Sequence, residues 1–288
     1  MICNLCPRKC NAVRDSNTAH GFCKCNDVMK VARIAPHMWE EPCISGKNGS
    51  GAVFFSGCTL KCVYCQNFEI SHNNNGRYIT EKELANKLME LEQLGVHTIE
   101  FVSATQYVDN ILKTLDIYHP QVPLIYNCSG YENVQTLKKL KGYIDVYLPD
   151  FKYSDDILAQ RLSSCTDYTK TTVDAINEML NQQPVLKFSD DGIIQKGVII
   201  RHLILPQNTK NSIGVLDIIK ENFADNVLVS LMGQYIPHGK ACEHKDINRK
   251  VTKREYDKVL NHLIELGLDG FAQELESADK SYIPQWDY

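Results

Sequence analysis

From residue 52 onward, short apolar runs alternate with amphipathic stretches. Ala52-Val53-Phe54-Phe55, closed by Ser56-Gly57, has the pattern of a buried strand. Thr80 with Glu83 three positions on forms a capping box that opens a helix. Leu84, Leu88, Leu91 and Leu94 fall on one face of it, and Gly95 ends it. Residues 98–102 read as the next strand. The same switching predicts strands over 122–126, 143–148, 198–205 and 227–231, and helices over 132–140, 155–162, 172–181 and 212–222. Thr252 and Glu255 open the last long helix, and 267–274 hold a final short strand.

Strands separated by helices imply a parallel sheet with helical crossovers. A run as apolar as 198–205 fits a sheet covered on both faces. Eight strand–helix units would be crowded into the chain beyond residue 50, so the expected fold is α/β, a partial TIM-type (β/α)6 barrel. Its chemistry is expected at the C-terminal strand ends. A short cysteine-rich extension over 1–50 precedes the barrel over 51–275, and 276–288 form a tail. No linker, repeat or low-complexity block interrupts the chain, and Asn73-Asn74-Asn75-Gly76 reads as a surface loop.

Composition narrows the function classes. With 43% hydrophobic and 23% charged residues, the chain reads as a globular protein, and a net charge of −4 gives no general attraction to nucleic acid. No apolar run approaches the roughly 20 residues of a membrane span, and no secretion signal is legible at the N-terminus. The expected address is the cytoplasm. There, closely spaced cysteines point to metal or catalysis rather than disulfides. Of the twelve cysteines, all but Cys128, Cys165 and Cys242 lie before residue 66.

Cys58, Cys62 and Cys65 follow the first barrel strand directly. Three thiolates on a loop leaving a strand end suit a cubane iron–sulfur cluster and leave one iron open for chemistry. A structural zinc site asks for four protein ligands, and no fourth is offered nearby; His72 is the nearest downstream histidine. Further upstream, Cys3, Cys6 and Cys10, then Cys23 and Cys25, form a second sulfur-rich module. Four of these five suit a zinc site or an auxiliary cluster, with Cys25 an alternative to Cys23 and His20 also in range.

At Gly57-Cys58-Thr59-Leu60-Lys61-Cys62-Val63-Tyr64-Cys65-Gln66-Asn67 the sequence resembles the radical S-adenosylmethionine (SAM) superfamily. The Cys65-Gln66-Asn67 step resembles pyruvate formate-lyase-activating enzymes, in particular homologues with an added N-terminal cysteine segment. The resemblance implies an oxygen-sensitive [4Fe-4S] cluster on Cys58, Cys62 and Cys65 and a bound SAM. Reductive cleavage would give a 5′-deoxyadenosyl radical that abstracts hydrogen, in the activases from a backbone glycine of a glycyl-radical protein. It further implies a flavodoxin or ferredoxin as reductant. A small metabolite or peptide substrate is the alternative, and a third reading is an electron-transfer or sensor protein that leaves SAM uncleaved.

For SAM contacts, the resemblance implies Tyr64 at the adenine, and Asn127, Ser129, Asp150 and Lys152 around the methionine and ribose moieties. His202 is expected at the ribose. Where the family usually carries a Gly-Gly-Glu element, this chain reads Ser103-Ala104-Thr105-Gln106, leaving Ser103 and Thr105 as the candidate contacts. Gln234-Tyr235 and Gln273-Glu274-Glu276 are weaker candidates for substrate, and a structural role suits them equally.

Overall fold

The computed structural model describes residues 2–223, 226–273, 275 and 286–287. The parallel strands are β2 (Ser50–Phe55), β4 (Thr98–Val102), β5 (Leu124–Cys128), β6 (Val146–Pro149), β8 (Ile194–Leu203) and β9 (Leu228–Met232), with short β10 (Gly270–Ala272) on the outer edge. They pair in the order β2-β4-β5-β6-β8-β9-β10. This is the expected incomplete barrel, an open parallel sheet with helices along its convex side.

The two capping boxes hold. Two single turns, α1 (Pro42–Ser45) and α2 (Phe68–Ser71), come before and after β2 in the chain. Helix α3 (Glu81–Gln93) is capped by Thr80 with Glu83, and α9 (Lys253–Glu265) by Thr252 with Glu255. The crossovers use α4 (Val108–Ile117), α5 (Val134–Lys139), α6 (Asp156–Ser163), α7 (Tyr168–Gln182) and α8 (Thr209–Phe223). Three strands lie outside the sequence expectations. β1 (Met29–His37) runs antiparallel to β2 and carries β3 (Arg77–Ile79) on its far side, while β7 (Lys187–Phe188) pairs with β8. β1 lies within the stretch expected as a cysteine-rich extension over 1–50 and already belongs to the sheet. Most of the expected tail over 276–288 lies outside the described residues.

Alternation sets what each strand shows to either side. Ile99, Phe101, Tyr126, Tyr147 and Ile200 pack into the main core under the helices. The concave side begins with an apolar plug of Ile44, Ile125, Val146 and Ile199. Nearer the strand ends it turns polar at Asn127, Arg201 and Ser230, all lining a cavity.

Candidate active site

β2 ends at Phe55 and the chain turns at Gly57, where φ is +81°. A Cβ on Gly57 would stand 2.1 Å from Cys25 Sγ, so glycine is required there by both conformation and space. The loop beyond it carries Cys58, Cys62 and Cys65, all free thiols. They share one wall of a cavity of about 210 Å³ with Tyr64, Ser103, Asn127, Ser129, Asp150 and Lys152. Seven of the eight residues expected at SAM thus lie here or beside it.

Each thiol has its own donors. Cys58 Sγ accepts from the Leu60 and Lys61 amides at 3.3 and 3.5 Å, Cys62 Sγ from Ser163 Oγ at 3.0 Å, and Cys65 Sγ from Ser71 Oγ at 3.3 Å. Burial, reinforced by the neighbouring Cys62, raises the Cys58 thiol, and burial pushes Cys65 up to about 12. Both thiols are therefore protonated until iron replaces the proton. The donor set fits an iron–sulfur cluster: three sulfurs on one loop, each with a hydrogen-bond donor, facing open space.

The wall fits SAM as well. Asp150 and Lys152 form an ion pair at 2.5 Å on the cavity wall. Burial works against the Lys152 charge, but Asp150 and the Cys62 and Cys65 sulfurs outweigh it and its pKa rises. A carboxylate beside an ammonium complements the same two groups of an amino acid. Ser129 Oγ is buried without a hydrogen-bond partner among the described residues, leaving an acceptor or donor for a ligand. Gly130, at φ +75°, lets the ends of β5 and β6 meet: a Cβ would stand 2.1 Å from Asp150 O.

Ser103 occupies the left-handed region at φ +57°, a conformation that glycine adopts freely. Thr105 lies in an adjoining crevice with Ser103 and Cys58, and its hydroxyl donates to Glu132 Oε1 at 2.8 Å. Tyr64 OH meets Tyr153 OH at 2.8 Å, which in turn meets Ser163 Oγ at 2.6 Å. A chain of hydroxyls therefore runs from Tyr64 to Cys62.

His202 is the exception. It is fully buried, with Nδ1 2.6 Å from Phe151 O, and is not on the cavity wall. Burial lowers its pKa to about 4. Alternation along β8 gives the concave side to Arg201 and Leu203, and His202 to the helix side. Its Nε2 is buried without a hydrogen-bond partner among the described residues, and the charges of Lys152 and Asp150 reach it.

A larger cavity, about 500 Å³, adjoins the first and shares Gln66, Asn67, Asn127, Arg201 and Gln234 with it. Its charged wall comes from residues the sequence reading did not assign. Arg201 Nε donates to Glu41 Oε1 at 2.8 Å, and Nη2 donates to both Glu40 and Glu41. Close by, Glu100 accepts from Asn127 Nδ2 at 2.5 Å while its Oε2 has no hydrogen-bond partner among the described residues. Burial, then the Glu40 charge, raises its pKa well above the carboxylate range. The signal was present: an arginine and a glutamate inside otherwise apolar strands are expensive to bury without purpose. Gln234 and Gln273 line this chamber, whereas Tyr235 is buried and donates to Ile247 O. Glu274 and Glu276 lie outside the described residues.

Comparison with known proteins gives a consistent picture. The family model of the Radical SAM superfamily matches residues 52–193. An uncharacterized protein of Methanocaldococcus jannaschii is 31% identical over 277 residues, which cover 93% of this chain and 75% of that protein. Among solved structures, Streptococcus suis SuiB bound to precursor peptide SuiA superposes with a TM-score of 0.53 at 16% identity, covering 77% of this chain and 48% of that one. A radical SAM methyltransferase from Sphaerobacter thermophilus superposes with a TM-score of 0.52 at 12% identity, covering 77% of this chain and 65% of that one. At these identities the structures speak for the fold alone, and this chain spans 48% and 65% of their lengths. By its three-cysteine loop, its incomplete barrel and these matches, the chain belongs to the radical SAM superfamily.

Proposed function

We propose that this protein is an oxidoreductase that removes a hydrogen atom from a polar organic substrate held in the larger chamber. The observation that carries the reading is the wall the two cavities have in common: the cluster thiols and the Asp150–Lys152 pair line one, and Gln66, Asn67, Asn127 and Arg201 line both. When bound on Cys58, Cys62 and Cys65, the [4Fe-4S] cluster supplies the electron that splits SAM into methionine and a 5′-deoxyadenosyl radical. The protein's own contribution is placement. Asp150 and Lys152 hold the amino-acid end of SAM, Ser129 offers a further hydrogen bond, and the Arg201 wall orients substrate near the same opening.

A backbone glycine of a glycyl-radical protein is a second reading, supported by the resemblance at Cys65-Gln66-Asn67. The buried charges of Arg201, Glu40 and Glu41 favour the small polar substrate, since a glycine backbone carries no charge for them to meet. The reductant in either reading is a flavodoxin or ferredoxin, acting in the cytoplasm. Among the described residues no helix is long and apolar enough to cross a membrane.

Anaerobic reconstitution, reduction with dithionite, and measurement of methionine and 5′-deoxyadenosine test the chemistry, with Cys62→Ala as control. Cleavage that vanishes in the control supports it. An intact cluster whose EPR signal ignores SAM overturns it in favour of electron transfer. Deuterium appearing in 5′-deoxyadenosine from a labelled small molecule, and not from a labelled glycine-radical partner, selects the first substrate reading.

A further inference from the structure

The N-terminal cysteines stand apart from the larger chamber: Cys3, Cys6, Cys10 and Cys23 line a separate small pocket, and Cys25 is turned toward Gly57. The chamber itself, about 500 Å³, holds an uneven set of charges. Glu40 and Glu41 leave the chain between β1 and α1 and reach the guanidinium of Arg201 on β8. Their side chains are 9% and 6% exposed, that of Arg201 12%. Glu41 accepts from Arg201 with both oxygens, Glu40 with Oε2 alone. Glu40 Oε1 accepts no hydrogen bond among the described residues; His37 Nε2 stands 3.6 Å away, beyond good hydrogen-bond distance. Burial lowers the His37 pKa, so that ring brings no positive charge at neutral pH.

A second observation is independent of this cluster. Glu100 on β4 is fully buried. Strand alternation puts it on the concave face with Val102, a residue of the chamber wall. One of its oxygens accepts from Asn127, also on that wall, and Oε2 has no partner among the described residues. The charges of Glu40, Arg201 and Glu41 all reach it. Gln273 lines the chamber too, and its Oε1 is likewise buried without a partner among the described residues.

With Glu100 held neutral by burial, Glu40 and Glu41 face one guanidinium, and one negative charge is left over among the described residues. The buried oxygens without partners are acceptors. An unpaired buried charge and unmet acceptors are both costly, and one kind of ligand relieves both. An ammonium or a guanidinium is positive and carries donors with no acceptor. An anion would meet Arg201 only beside Glu40 and Glu41, whose charges repel it. Trp39 and Phe271 add aromatic rings to the same lining, and such rings attract cations.

We propose that the chamber takes an organic cation: its substrate carries an ammonium or guanidinium group bound by Glu40, with the carbon that gives up hydrogen toward the wall shared with the cluster cavity. The assignment rests on the reading that substrate occupies this chamber. Glu40 lines the larger cavity and not the smaller one, so the cationic end is anchored away from the cluster thiols. Arg201 is a positioning residue that holds Glu40 and Glu41 in place.

Isothermal titration calorimetry of the anaerobically reconstituted, SAM-loaded and unreduced protein tests it with four probes: putrescine, agmatine, butanediol and succinate. At least one of the two cations should bind about tenfold or more tighter than the neutral diol, as a close pair of opposite charges out of water allows, and succinate should bind most weakly. Glu40→Gln, which keeps the shape and removes the charge, should erase that preference. The proposal is overturned if neither cation binds, if succinate binds as tightly as they do, or if Glu40→Gln keeps the preference. The ranking of probes on the wild-type protein depends on no variant folding. SAM cleavage by the dithionite-reduced protein is read separately. Cations that bind where no cleavage occurs leave the cation site standing and remove the hydrogen-abstraction reading; cleavage without cation binding does the reverse.

Discussion

Ser163→Ala should lower the reduction potential of the barrel cluster. Ser163 Oγ donates to Cys62 Sγ at 3.0 Å, and with its one proton so used it accepts a hydrogen bond from Tyr153 OH, 2.6 Å away. Ser163 is held from behind by Arg8, whose Nη2 donates to Ser163 O at 2.8 Å and whose Nε donates to Thr59 O at 2.8 Å. The same guanidinium reaches Leu60 O at 3.2 Å and Ser164 O, and stands 3.9 Å over the Phe22 ring. The donor is therefore fixed relative to the cluster loop.

A hydrogen bond to a charged acceptor contributes about 1.5–3 kcal/mol. Reduction adds one electron, shared across the cluster, so only a fraction of that bond differs between the two states. Taking about a third gives roughly 0.5–1 kcal/mol, or about 20–40 mV for a one-electron couple. An EPR-monitored redox titration of reconstituted protein measures it. The potential of Ser163→Ala should fall by that amount, and Ser163→Thr, which keeps the hydroxyl, should return it toward wild type. An unchanged or higher potential in a folded, fully loaded Ser163→Ala protein refutes the reasoning.

Lys152→Met removes the cation paired with Asp150 at 2.5 Å; SAM binding, followed by the EPR response, should weaken at least about tenfold (~1.4 kcal/mol) with iron content unchanged. Burial raises Glu132 to about 8, against an ordinary value of 4.5. The folded state thus holds a proton that the unfolded state loses first, and this contribution to stability is full below pH 4.5 and lost as pH rises through about 8. Denaturant titrations should show stability falling across that window by up to about 1.4 kcal/mol per pH unit from this group, and Glu132→Gln should remove that part of the slope. Thr80 caps α3 through the Glu83 amide at 3.2 Å; Thr80→Ala should cost about 1 kcal/mol in the same assay with no effect on SAM cleavage.

The strand–helix alternation, both capping boxes and the position of Cys58, Cys62 and Cys65 beyond a strand end could be read along the chain, because each depends on residues a few positions apart. The periods 2 and 3.6, a Thr with a Glu three residues on, and a sulfur-rich loop after four apolar residues are local signals. The residues expected at SAM came from the resemblance; seven of the eight lie at or beside the cavity, and His202 lies on the other face because of the phase of its strand. Pattern alone does not fix that phase, since a strand buried on both sides looks the same with either register. β1 was missed for a related reason. It joins the sheet as an antiparallel partner of β2, and nothing between residues 29 and 37 announces that edge. The remaining features depend on contacts across long stretches of chain: Ser163 against Cys62, 101 residues apart, and Arg201 against Glu41, 160 apart. Such pairs exist only once the sheet has closed around its concave face, because packing of whole elements, and no local preference, brings those side chains within reach.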